Sequence, residues 1–114
     1  MNKLLLVTLS SLFLYTSAVL AKPIVPETLN RIAFGSCAKE RKPQPIWNEI
    51  AKTNPDLFLF IGDNQYADWQ RIDGELVYGP VTDPARIVEA YSTLSAIPEF
   101  AEFRQKVPLL GTWD

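Results

Sequence analysis

Histidine is absent from the 114 residues and cysteine occurs once, as Cys37. With no imidazole in these residues, a hydrolase using Cys37 as its nucleophile would lack the side chain that most often activates a thiol. A single cysteine also closes no intrachain disulfide. No block of basic residues is present. The 11 Lys and Arg are interspersed with 13 Asp and Glu for a formal net charge of −2, which gives no electrostatic reason to expect nucleic acid or an anionic membrane as a partner. There is no internal repeat and no low-complexity tract. The first residues contain neither a twin-arginine pair nor a cysteine that could take a lipid.

What the amino terminus does contain is an export pattern. Lys3 precedes an apolar run from Leu4 to Leu14, and small residues follow at Ser17, Ala18 and Ala21. This order is expected of a general secretory signal over residues 1–21, cut after Ala21, with a mature segment of 22–114 that is secreted or periplasmic. Losing Lys3 leaves 10 cations against 13 acids, a net charge of −3. The competing reading is an uncleaved anchor from Leu4 to Leu20, against which Thr8, Ser10, Ser11, Thr16 and Ser17 count, since a span needs roughly 20 apolar residues. After cleavage no membrane span is expected. A lone thiol in an oxidising compartment is then either a small buried apolar side chain or a metal ligand or nucleophile.

Hydrophobic runs and breakers set the expected elements. Arg31 to Ser36 reads as a strand that empties into a loop carrying Cys37 and the charged stretch Lys39 to Lys42. Ile46, Trp47, Ile50 and Ala51 recur at helical spacing between about Pro45 and Lys52, and Asn54-Pro55 ends that helix. The run from Asp56 to Asp63 is apolar without alternation, as in a central parallel strand covered on both faces. Strand, helix and strand make a βαβ unit, so the expected class is α/β. Gln65 to Val81 reads as an irregular excursion. Asp83 followed by Pro84 predicts an N-capped helix to about Ala96, with Ile87, Val88, Tyr91 and Leu94 on one face. A further helix from Pro98 should bury Phe100 and Phe103, and Leu109 to Asp114 should form a third strand. Such a sheet has an open edge and an uncovered face, so the domain is expected to continue beyond Asp114.

Ligands in α/β sheets collect at the carboxyl ends of the strands. Cys37, Asp63 and Asp114 all fall there, with Tyr66 three residues after Asp63. A carboxylate suits a hard cation, a phenolate suits ferric iron, and metal binding deprotonates a thiol outright. Taken singly, Asp63 reads equally as a turn residue, Tyr66 as a packed aromatic and Cys37 as an inert thiol. Asn64 reads as a loop polar group or a substrate contact. Trp47 reads as core, and Trp69 and Trp113 as core or pocket wall.

The ordered set Phe34-Gly35-Ser36-Cys37, Gly62-Asp63, Tyr66-Ala67-Asp68, Val107-Pro108 and Thr112-Trp113-Asp114 resembles the opening third of the PhoD-like alkaline phosphatases. The resemblance spans Arg31 to Asp114. It implies a calcineurin-like four-layer α/β sandwich that hydrolyses phosphate mono- or diesters, on small molecules or polymers, with ferric iron and calcium. It further implies that Cys37 and Tyr66 bind iron, that Asp63 bridges the metals, and that Asp114 opens the next ligand motif. Purple acid phosphatases share a Gly-Asp-x-x-Tyr pattern, but they carry a carboxylate where this chain has Cys37. A second class of reading is a non-catalytic exported binding module, in which Cys37 is buried and the aromatic loop from Tyr66 to Tyr78 recognises a ligand.

Overall fold

The computed structural model describes residues 22–112. The expected leader over 1–21, Trp113 and the expected ligand Asp114 lie outside the described residues. In chain order the elements are β1 (Ile32–Gly35), α1 (Ile46–Lys52), β2 (Leu57–Phe60), β3 (Trp69–Ile72), β4 (Glu75–Tyr78), α2 (Pro84–Ala96), α3 (Pro98–Lys106) and β5 (Leu109–Gly111). The fold is mixed α/β. One three-stranded sheet has the order β1-β2-β5 with both pairings parallel, and β3 and β4 form a separate antiparallel pair.

The chain steps across the sheet in one direction, from β1 to β2 to β5. Crossovers between parallel strands are right-handed, so two steps in the same direction carry their helices to the same face. Accordingly α1 and α3 touch, and both pack on the core side of the sheet. There Phe58 and Phe60 of β2 meet Trp47 of α1 and Phe100 and Phe103 of α3. The Trp47 ring centroid stands 4.8 Å from Phe100, 5.2 Å from Phe58 and 5.3 Å from Phe103. Burial of each phenyl ring contributes about 1.5–3 kcal/mol, and tilted or edge-to-face aromatic pairs add about 0.5–1.5 kcal/mol. This aromatic cluster holds β2 rigid beneath the loops at its carboxyl end.

The local signals act as their chemistry predicts. Asp83 Oδ1 accepts the Ala85 N–H at 2.9 Å, capping α2 just before the proline that opens it. Asn54, in the left-handed region at φ 49°, ends α1 ahead of Pro55. Among the described residues no helix is long and apolar enough to cross a membrane.

Three expectations need correction or refinement. The segment from Gln65 to Val81 is not irregular, because it contains the β3–β4 hairpin. Its turn is Asp73-Gly74, with φ of 49° and 89°, the two positive values that a two-residue turn between twisted strands demands. On α2, Val88 is 66% exposed and the buried positions are Ala90 and Leu94, so the inward stripe passes beside Val88. Among the described residues, helices cover the apolar run in β2 on one face. Side chains alternate along strands, and the register places Ile32, Phe34, Leu59 and Leu110 on the face away from α1 and α3. Ile32, Phe34 and Leu110 are 50%, 69% and 51% exposed there.

Candidate metal centre

The register of β1 on β2 pairs Gly35 with Phe60, so the two chains leave the sheet side by side. The Ile61 N–H donates to the Gly35 carbonyl at 3.0 Å, and the Ala38 N–H donates to the Asp63 carbonyl at 3.0 Å, extending the pairing beyond the strands. Cys37 and Asp63 are therefore neighbours although 26 residues separate them. Both have left-handed backbones, at φ 62° and 46°. That region costs a residue with a Cβ roughly 1–2 kcal/mol, and Gly62 before Asp63 is at φ 124°. Two such residues in contact at strand ends are a feature that active sites accumulate.

Their side chains converge. The Cys37 thiol donates to Asp63 Oδ2 at 3.3 Å, and the Tyr66 hydroxyl donates to the same oxygen at 3.0 Å. The Ser36 hydroxyl lies 3.4 Å from the Cys37 sulfur. Burial, reinforced by the hydrogen bonds to Cys37 and Asp63, raises the Tyr66 phenol well above its ordinary pKa, so it is protonated at neutral pH in the metal-free protein. Cys37 is exposed, contrary to the buried thiol that the binding-module reading required.

Sulfur, carboxylate and phenol thus share one point, with two donor hydrogens aimed at a single oxygen. A cation taking the place of those hydrogens would meet a thiolate, a carboxylate and a phenolate. That is one soft donor beside two hard ones, a mixture open to transition metals. Among the described residues no group of three or more His, Cys, Asp or Glu side chains is spaced to hold a metal. The cluster contains two of those types, and its third donor is the phenol. The residues fit a metal as part of a ligand set.

Asn64, read as a loop polar group or a substrate contact, is engaged within the fold through its amide nitrogen. Its Nδ2 donates to the Thr112 carbonyl at 2.9 Å, tying the loop after β2 to the end of β5, while its Oδ1 is buried without a hydrogen-bond partner among the described residues. Asp68 keeps a structural place, its carbonyl accepting the Gly79 N–H at 3.0 Å at the base of the hairpin.

Two residues in the charged loop escaped the sequence reading. Glu40 is only 4% exposed, and its Oε2 accepts the Tyr66 N–H at 3.1 Å while Oε1 lies 3.6 Å from Arg41 Nε. It fixes the backbone from which the Tyr66 ring projects. Gln44 is also buried and ties the loop to the core, accepting from Trp47 Nε1 at 2.7 Å and donating to the Lys39 carbonyl at 2.9 Å. Nothing local distinguishes a buried glutamate from its exposed neighbours in Lys39-Glu40-Arg41-Lys42. The chain matches no family model, and no curated protein or solved structure is significantly similar to it.

Proposed function

We propose that these residues form part of an exported, metal-dependent hydrolase of phosphate mono- or diesters, of the PhoD-like kind. The observation that supports this reading is the meeting of the Cys37 thiol and the Tyr66 hydroxyl on Asp63 Oδ2 at the carboxyl ends of adjacent parallel strands. In this reading Cys37, Asp63 and Tyr66 would hold iron and calcium when bound, and Asp114 would extend the set. When bound, the metals supply Lewis-acid binding of a phosphate oxygen and a water made acidic enough to act as nucleophile. The chain's own residues hold the donors in position. Glu40 fixes the Tyr66 backbone, the αL turns at Cys37 and Asp63 aim their side chains at each other, and the aromatic cluster under β2 keeps the strand ends from moving. Lys39, whose Nζ stands 5.6 Å from the Tyr66 ring centroid, adds positive charge beside the cluster where an anionic ester would approach.

The test is elemental analysis and visible absorbance of the full-length protein, paired with a phosphodiesterase assay with and without chelator. Cys37→Ser is expected to bleach a thiolate-to-iron absorption band and lower activity at least about tenfold. A full-length protein that purifies without iron and shows no chelator-sensitive hydrolysis would sink the proposal.

A further inference from the structure

Next to the cluster lies a cleft of about 470 Å³, a volume in the range of small-molecule sites. One wall is the loop after β1, with Lys39, Arg41 and Lys42, and the other is the β3–β4 hairpin. Trp69 and Arg71 are two residues apart on β3, and their cross-strand partners are Tyr78 and Leu76. Period-two alternation therefore puts Trp69, Arg71, Leu76 and Tyr78 on one hairpin face, and the first three line the cleft. Tyr66, whose hydroxyl donates to Asp63, is shared between cleft and cluster.

The charge of this cleft runs against that of the chain. Four of the 11 Lys and Arg line it in a protein of net charge −2, and its one acid, Glu40, is buried, paired with Arg41 and bonded to the Tyr66 N–H. Lys39, Lys42 and Arg71 remain as exposed cations with no carboxylate partner among the described residues. Trp69 is 37% exposed and is held by Tyr78, ring centroids 5.5 Å apart, with its carbonyl accepting from Arg86. A propped, half-open indole beside three cations that lack carboxylate partners, Arg71 being oriented by its bond to the Gly74 carbonyl, offers a stacking surface and anion contacts together.

We infer that this cleft binds the non-reacting side of a nucleotide-type ligand, its planar base against Trp69 and its flanking phosphate on Lys42 and Arg71. The assignment rests on the phosphoester reading only for where the reacting phosphate sits, beside Tyr66 and Asp63. The hairpin then acts as a specificity element, selecting esters that carry both a second negative charge and a flat group.

The experiment measures binding of ADP, glycerol 3-phosphate and inorganic phosphate to the full-length protein by calorimetry, with hydrolysis of p-nitrophenyl phosphate followed in parallel. ADP is expected to bind tightest, and to weaken as salt rises. The double variant Lys42→Gln/Arg71→Gln should lose at least about tenfold in ADP affinity while p-nitrophenyl phosphate turnover is unchanged. Arg71→Lys, which keeps the charge, should recover part of the loss and so report that the hairpin is folded. Trp69→Leu should erase the preference for ADP over glycerol 3-phosphate. Equal affinity for those two in the wild type, or an equal loss for all three probes in the double variant, would overturn the inference. ADP binding that depends on Arg71 and Trp69 in a protein that hydrolyses nothing would instead leave the cleft standing and remove the hydrolase reading.

Discussion

Asp63 carries two roles that a single substitution separates. Its carboxylate gathers the Cys37 and Tyr66 hydrogens, while its backbone sits at φ 46°, where glycine is at ease and aspartate is strained. Asp63→Gly should therefore leave the unfolding midpoint of the metal-free protein nearly unchanged while abolishing iron binding. A clear loss of stability with metal retained would mean that the side chain serves the turn and not a cation. Asp56 is the contrasting case of a purely structural acid. Its Oδ2 accepts the N–H groups of Asn30 and Arg31 at 2.7 and 2.9 Å, and these bonds lower its pKa from the ordinary 3.8. A folded value below the unfolded one stabilises fully above the unfolded pKa and is lost as pH falls through the folded value. Acid unfolding should thus release the segment entering β1 below about pH 4, and Asp56→Asn should flatten that limb of a stability profile. An identical acid limb in the variant would show that Asp56 does not set it.

At the scale of elements, the hairpin is set by turn chemistry and not by hydropathy pattern. The stretch Trp69 to Tyr78 is too polar and aromatic to advertise a core strand, yet Asp73-Gly74 between two four-residue runs is the strongest short-range hairpin signal there is. A Cβ on Gly74 would meet nothing within 4 Å, so its replacement is penalised by the backbone alone, at φ 89°. Gly74→Ala should cost about 1–2 kcal/mol of hairpin stability, visible as a changed Trp69 emission without loss of the aromatic core. Unchanged emission would mean that the turn tolerates a side chain. The helices were legible because their signals are contiguous: Asp83-Pro84 starts α2, Pro98 opens α3, and Phe100 and Phe103 are buried as their spacing requires. Val88 stays exposed although a stripe wide enough to include it fits the periodicity equally well, because the packing of α2 on α3 selects Ala90 and Leu94.

For the molecule as a whole, the parallel sheet has one face under helices and one apolar face bare among the described residues. Parallel sheets are stable with both faces covered, and Ile32, Phe34 and Leu110 form an apolar surface that water opposes. A polypeptide of residues 22–114 is expected to bind a hydrophobic dye such as ANS strongly. Weak dye binding by the short polypeptide would mean that the face closes on itself. The amino-acid sequence by itself determined the α/β class, the caps and stops of the helices, the aromatic core positions and the strand ends at which Cys37 and Asp63 lie, because each depends on hydropathy period or turn chemistry within a few residues. Only the tertiary structure decided that those two side chains touch across 26 residues, that Glu40 is buried under Tyr66, and that four cations of an acidic chain line one cleft. Those outcomes depend on the register of β1 against β2 and on where the hairpin docks, and pairing between distant segments leaves no mark in either segment alone.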